Sequence, residues 1–197
     1  MRPEQARESS TRAEQVIREA LEEGDVRRAA AALVDAYGRE LYGFLAAVHG
    51  ATDASDIYGE VMVRVTAGIR GFRGESAART WLYQVARNEA YQLLRRRRRA
   101  RAVFTPLERH PSAEERAHSS AEEPGREEHL ARLRARLSDD DRALLALRVD
   151  RGFSYASIAR MMSPAADEAA QEREAARLRQ RLRAIALRLR AWREEQP

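Results

Sequence analysis

The sequence predicts an all-α protein made of two small helical domains joined by a flexible acidic linker, with a helix-turn-helix in the second domain. Strong helix formers dominate, and only 10 Gly and 6 Pro interrupt them. No segment alternates apolar and polar residues for long enough to predict a strand. A proline-containing acidic stretch separates the two helical regions. The expected divisions are a polar tail or loosely docked helix at 1–24, a first domain at 25–101, the linker at 102–128 and a second domain at 129–197.

Apolar spacing predicts three helices in the first domain. The first helix runs from about residue 25 to 48 and stops near Gly50. Asp53 lies at the start of the second helix, where an acid is favourable as a cap or beside the helix dipole. The third helix begins near Ala77 and continues without a break into five consecutive arginines.

The second domain is predicted to contain several short helices and one long helix. Ser138, with Asp141 three residues later, forms a capping box for one short helix, and Ser154 caps the next. The long helix has a single apolar stripe with arginines on both of its shoulders, as expected of a helix that lies in a DNA groove. That stripe consists of Leu178, Leu182, Ile185, Leu189 and Trp192.

The net charge of +5 conceals a strong asymmetry. Residues 84–101 carry a net charge of +6 and residues 173–193 carry +7, so the remainder of the chain is acidic. All 36 basic residues are arginines, which can contact phosphates and bases in a bidentate way. Two basic elements predict two contact zones on a nucleic acid, although two solvated helix faces are the alternative.

Several classes of function are not expected. The chain has no Cys and only four scattered His, so we expect no disulfide, no metal site and no cofactor. No recognisable catalytic motif is present, and we expect a protein that is not an enzyme and has no catalytic residues. No apolar run approaches the length of a membrane span, which predicts a cytoplasmic protein without membrane contact of its own.

The most informative segment is 72–101, where a turn-forming lead-in opens the arginine-rich helix. Aromatic side chains beside dense positive charge suit single-stranded nucleic acid, because planar groups stack on bases and arginines bind phosphates. This segment resembles the promoter-opening part of extracytoplasmic-function (ECF) sigma factors, the small specificity subunits of bacterial RNA polymerase. That family has two helical domains, the first of which binds polymerase and melts the −10 region, whereas the second reads the −35 element.

The resemblance implies a role for three segments. The start of the second helix looks like the family's polymerase-docking helix, whose residues facing the β′ clamp helices would be Asp53, Asp56, Glu60 and Arg64. The residues implied to contact the −10 strand are Phe72, Arg73, Gly74, Glu75, Ser76, Arg79, Trp81, Tyr83, Arg87, Asn88, Arg95, Arg96, Arg97, Arg98 and Arg99. The residues implied to contact the −35 element are Ser154, Tyr155, Arg177, Arg179, Gln180, Arg181 and Arg183. For Trp81, a role in the core is an equally good interpretation.

One departure from the family pattern concerns the helix-turn-helix. Thirteen residues, 163–175, separate its two helices where the family usually has a few, and several of them are acidic. Acids at the tip of a recognition helix repel phosphate. We therefore expect Ser163 to about Ala170 to form an inserted turn or a short extra helix, and the DNA-facing part to begin near Arg173.

Core RNA polymerase and promoter DNA are the partners that the resemblance implies, together with an anti-sigma factor of the kind that commonly holds this family inactive. A stand-alone helix-turn-helix regulator is the alternative function. It explains the arginine-flanked last helix but not the docking-like segment 53–65 or the loop at Phe72.

Overall fold

The computed structural model describes residues 3–104, 132–163 and 167–194. Within these ranges every regular element is helical, which confirms the all-α prediction. No helix among the described residues is long and apolar enough to cross a membrane. The predicted linker at 102–128 lies almost entirely outside the described residues.

The described residues group into two compact units. One contains residues 3–45 and 54–104, and the other contains residues 46–53, 132–163 and 167–194. The second group includes the junction between the second and third helices of the chain. The domain limits of 25–101 and 129–197 therefore stay a prediction.

The N-terminal segment forms a packed helix, α1, at Pro3–Glu22. Ile17 and Ala20 on this helix are only 1% and 0% exposed. Tyr37 on the following helix contacts α1 through its hydroxyl, which lies 3.0 Å from the hydroxyl of Ser10. Of the two expectations for residues 1–24, the structure thus shows a docked helix rather than a tail.

Helices α2 (Val26–His49) and α3 (Ala51–Gly68) follow the apolar spacing of the sequence. Asp25 caps the N-terminus of α2, because its carboxylate accepts a hydrogen bond of 2.9 Å from the backbone N–H of Arg28. Gly50 joins the two helices with a φ of 83°, a left-handed conformation that glycine adopts at little cost. The buried side of α3 consists of Ala54, Ile57, Val61 and Val65.

Helix α4 (Ala78–Phe104) is 27 residues long and includes the whole arginine run. A 3₁₀ turn at Ile69–Gly71 and a short loop lead into it. Its N-terminal half packs into the first unit, since Leu82 and Ala86 are fully buried. Residues 95, 96, 98, 99 and 100 are exposed, so the C-terminal half presents most of its circumference to solvent.

The second unit contains a helical turn at 132–135 and the helices α5 (Asp139–Leu145), α6 (Tyr155–Met162) and α7 (Glu168–Glu194). A single π-helical turn, Ala146–Asp150, extends α5. The predicted caps are confirmed. The backbone N–H of Asp141 donates to Ser138 Oγ over 3.2 Å, and the N–H of Ser157 donates to Ser154 Oγ over 3.0 Å.

The last three residues of the segment expected to be an insertion, 168–170, belong to α7. This helix begins at Glu168, where the carboxylate of Asp167 accepts a 2.7 Å hydrogen bond from the N–H of Ala170. Residues 168–170 thus form the first turn of α7 rather than a separate short helix, while residues 164–166 of the expected insertion lie outside the described residues. The acids of this segment favour helix initiation because they lie near the positive end of the helix dipole.

Candidate nucleic-acid interface

Seven exposed side chains lie on one face of α4, which we call the outer face. At about 100° per residue they occupy an arc of roughly 140° around the helix axis. Within the part of the chain that the structure describes, none of these side chains makes an ion pair or a side-chain hydrogen bond. The outer face consists of Arg87, Asn88, Tyr91, Gln92, Arg95, Arg98 and Arg99.

The two other arginines of the run point toward α3. Arg97 forms an ion pair and hydrogen bond with Asp56, and Arg96 Nη2 lies 3.7 Å from Glu60 Oε1. The five arginines are thus divided between two sides of α4. Arg96 and Arg97 neutralise acids on α3, whereas the other three extend into solvent.

A third ion pair continues this row of contacts between α3 and α4. Arg64 Nε donates a 2.9 Å hydrogen bond to Oε1 of Glu89, which is only 5% exposed. The arginine itself remains largely exposed. We call these three pairs the α3–α4 ion-pair row, and it comprises Asp56–Arg97, Glu60–Arg96 and Arg64–Glu89.

The loop before α4 is organised by an aromatic contact. The rings of Phe72 and Trp81 have centroids 5.6 Å apart and are tilted by 49°, and both residues are half-buried. Gly74 has a φ of 71°, which favours glycine at this position. The exposed Arg73 and Glu75 approach each other only to 4.0 Å. Phe72 and Trp81 therefore support each other and also leave part of each ring accessible.

Two of the residues expected to contact the −10 strand are engaged inside the first unit. Arg79 donates to Glu40 Oε1 from Nη2 over 2.5 Å and from Nε over 3.1 Å. Tyr83 is 2% exposed, and its hydroxyl donates to the same oxygen over 2.7 Å. Glu40 thus ties the first turns of α4 to α2. Tyr83 offers no surface to a DNA strand in this structure.

A residue of α1 caps the N-terminus of α4. The carboxylate of Glu14 accepts hydrogen bonds from the backbone N–H groups of Ala78, over 2.8 Å, and Arg79, over 3.2 Å. The hydroxyl of Tyr37 donates to the same carboxylate over 3.3 Å, and burial raises the pKa of this tyrosine. This cap comes from a segment 64 residues away in the sequence.

In the second unit, one buried carboxylate holds two arginines of α7. Asp141 is 6% exposed and accepts hydrogen bonds of 2.6 Å from both Arg181 and Arg188. Burial alone raises the pKa of this carboxyl, but the hydrogen bonds and charges of Arg188 and Arg181 outweigh burial and lower the pKa overall. Arg181 therefore connects α7 to α5, although the sequence suggested a DNA contact.

One of the remaining residues expected at the −35 element, Arg179, contacts another, Tyr155. Two guanidinium groups lie over the ring of Tyr155, with the Cζ of Arg148 at 5.1 Å and that of Arg179 at 5.3 Å from the ring centroid. Ser154 uses its hydroxyl as the cap of α6. The exposed side chains on this part of α7 are Arg177, Arg179, Gln180 and Arg183.

Comparison with known proteins shows to which family this chain belongs. The family model described as sigma-70 region 2 matches residues 33–100. The RNA polymerase sigma-H factor of Pseudomonas aeruginosa is 31% identical over 159 residues, which cover 76% of this chain and 82% of that protein. The chain belongs to the ECF family of RNA polymerase sigma factors.

Two further similarities agree with this assignment. The ECF RNA polymerase sigma-E factor of Haemophilus influenzae is 35% identical over 81 residues, or 41% of this sigma factor and 42% of that one. The fold is similar to that of the sigma factor RpoE from Bartonella quintana, solved in complex with the anti-sigma factor NepR, with a TM-score of 0.51 and 22% identity over 75% of this chain and 90% of that one. A stand-alone regulator is not favoured.

The region 2 match contains the α3–α4 ion-pair row, the loop at Phe72 and the outer face. Sequence reasoning missed three acids that connect helices of the sigma factor, Glu14, Glu40 and Glu89, and one exposed residue of the outer face, Tyr91. The first three are acids whose partners lie far away in the sequence, so no local pattern marks them. Tyr91 could have been found, since it lies four residues from both Arg87 and Arg95 on the same helix face.

Proposed function

We propose that this sigma factor directs core RNA polymerase to promoters and initiates transcription there, using α3 for polymerase, the outer face of α4 for the −10 strand and α7 for the −35 element. The observation that carries this proposal is the division of the arginine run. Arginines that pair with no acid among the described residues lie on one exposed face and provide charge for phosphates, and Asn88 in their midst provides a group that can bond to bases.

For the −10 strand we propose contacts by the outer-face residues Arg87, Asn88, Arg95, Arg98 and Arg99. The loop of residues 72–76, with Phe72 packed on Trp81, is the proposed site for an unstacked base. Flipping a base costs a few kcal/mol, which stacking and phosphate contacts have to offset.

For four other residues expected at the −10 strand we propose a structural role instead of a DNA contact. Arg79 and Tyr83 hold α4 against α2 through Glu40. Arg96 and Arg97 pair with α3, so that they contribute to the position of the helix before any DNA is bound.

For the −35 element we propose Arg177, Arg179, Gln180 and Arg183. They lie on one exposed side of α7, and arginine and glutamine are the side chains that most readily read base edges in the major groove. Ser154 and Tyr155 support this surface from α6, while Arg181 anchors α7 to Asp141.

For core polymerase we propose the exposed side of α3, with Asp56 and Glu60 as its main acids and Asp53 and Arg64 beside them. An anti-sigma factor is a further proposed partner, on the ground of family membership. The catalysis of RNA synthesis is assigned to polymerase, and this chain contributes recognition and strand separation.

Transcription from a randomised promoter library tests the proposal. Core polymerase with this chain should produce transcripts from templates that share two short motifs, and core alone should not. Arg177→Ala with Arg183→Ala should relax selection in the upstream motif only, and Arg87→Ala with Asn88→Ala in the downstream motif only. Transcription no greater than that of core polymerase alone contradicts the proposed function.

A further inference from the structure

The outer face of α4 contains an aromatic side chain that the proposed function does not use. Tyr91 is 65% exposed, one of the largest exposures of an apolar or aromatic side chain among the described residues. Exposing a tyrosine ring to this extent forgoes the free energy of burial, whereas Tyr37, Phe44 and Tyr83 of the same unit are buried.

The surroundings of Tyr91 combine the groups that bind a single-stranded nucleotide. A surface cleft of about 240 Å³ is lined by Arg87, Asn88, Tyr91 and Gln92. Arg87 and Arg95 lie one turn before and one turn after the tyrosine, while the two carboxamides lie beside it at a spacing of four residues. The cleft thus has one planar ring, two groups that both donate and accept hydrogen bonds, and cations at either end.

We propose that this cleft binds one unstacked nucleobase of a single DNA strand, with the base stacked on the ring of Tyr91 and Asn88 and Gln92 bonded to its edge. Arg87 and Arg95 hold the phosphates on either side of that nucleotide. This inference rests on the proposed melting role of α4 and adds a base site separate from the loop at Phe72. Any base has a π-face, so stacking supplies affinity, and the carboxamides supply preference among bases.

Binding of the full chain to two single-stranded oligonucleotides tests this site without polymerase. One is oligo-dT and the other has the same length and charge but only abasic sugars, so that their difference in affinity measures base contacts. The wild-type chain should bind oligo-dT more tightly by about 5- to 150-fold, the range expected for stacking of one base. Tyr91→Ala should reduce that difference by about 5- to 150-fold, leaving only what the loop at Phe72 contributes, and should leave binding of the abasic strand unchanged, whereas Tyr91→Phe should preserve the difference.

Two matched variants separate this site from phosphate binding and from folding. Arg95→Ala with Arg98→Ala and Arg99→Ala should weaken both oligonucleotides equally. Tyr42→Ala removes another partly exposed tyrosine, on α2, and should change neither affinity.

Three results overturn the proposal. They are equal affinity of the wild-type chain for both oligonucleotides, an undiminished difference in Tyr91→Ala, and the same decrease in Tyr91→Phe as in Tyr91→Ala, which would assign the effect to the hydroxyl. Each leaves the proposed sigma function intact, because docking to polymerase is measured separately.

Discussion

Arg97 on α4 forms an ion pair and hydrogen bond with Asp56 on α3, so that a residue expected to hold DNA phosphate is bound to a residue expected to face polymerase. Glu60 and Arg96 repeat the relationship one turn further along α3. The two proposed binding surfaces of the first unit therefore share a boundary. An ion pair at that boundary positions the arginine-rich helix at a defined side of the docking helix.

The division of the arginine run predicts unequal effects on DNA binding. Replacing Arg95, Arg98 and Arg99 together with Ala should reduce the slope of log affinity for single-stranded DNA against log salt by about 2, because three phosphate contacts are lost. Replacing Arg96 and Arg97 with Ala should change the slope by less than the loss of two phosphate contacts. Fluorescence anisotropy over a salt series measures both slopes, and equal change per arginine would contradict the assignment.

The pair of Arg64 and Glu89 should contribute more to the free energy of unfolding than the exposed pairs of the α3–α4 ion-pair row. Arg64→Ala leaves the buried carboxylate of Glu89 without its arginine, which should cost about 1–3 kcal/mol of unfolding free energy. Glu60→Ala removes one partner of an exposed pair and should cost less than about 1 kcal/mol.

A double-mutant cycle in urea denaturation checks this difference. Adding Glu89→Gln to Arg64→Ala should recover part of the loss, since a neutral amide is cheaper to bury unpaired than a carboxylate. Strict additivity of the two changes would show that the pair does not interact.

The cap that Glu14 provides should stabilise the start of α4. Glu14→Ala leaves the N–H groups of Ala78 and Arg79 without their acceptor, and we expect a loss of about 0.5–2 kcal/mol. Gln15→Ala alters the neighbouring exposed position and should have a much smaller effect. Hydrogen exchange should accelerate at residues 78 and 79 in the first variant only. Unchanged exchange there would exclude the cap.

The ionised carboxylate of Asp141 should stabilise the second unit in a pH-dependent way. Its pKa is lower in the folded chain than the ordinary value of 3.8, so its contribution is fully present above that value and is lost as pH falls through the folded pKa. Asp141→Asn should lower the melting temperature at pH 7. The gap between variant and wild type should shrink as pH falls below about 4.

Asp140 is a matched control for this effect, because it is the exposed neighbour on α5. Asp140→Asn should leave the melting temperature nearly unchanged at both pH values. A gap between Asp141→Asn and wild type that stays constant from pH 7 to pH 3 would exclude the ionised carboxylate as its cause.

Most helices could be predicted from the sequence because apolar residues recur along each of them at helical spacing. That spacing can be seen within a single short segment of the chain. The same reasoning left open whether residues 1–24 form a tail or a loosely docked helix, because the packing of α1 depends on only a few buried residues such as Ile17 and Ala20. It also assigned residues 168–170 to an insertion because of the acids there, whereas they form the first turn of α7, which Asp167 caps.

The candidate nucleic-acid interface was only partly predictable, because some of its arginines contact residues that are distant in the sequence. Helical spacing places Arg95, Arg98 and Arg99 on one face of α4, but it does not show that Arg96 and Arg97 meet acids about 40 residues away. Arg181 is a similar case, because its partner Asp141 looked like a capping residue alone. The acidic partners of these long arginine side chains are contacts of tertiary structure, and no local pattern encodes them.

Co-elution of the purified chain with core RNA polymerase, before any DNA is added, tests the central claim most directly. The account predicts stoichiometric co-elution, loss of it in Asp56→Arg with Glu60→Arg, and retention in Arg96→Glu with Arg97→Glu. Combining all four changes restores opposite charges in the α3–α4 ion-pair row, so this variant should fold normally and still fail to bind. Failure of the wild-type chain to co-elute, or co-elution of the four-fold variant, would contradict docking through the acids of α3.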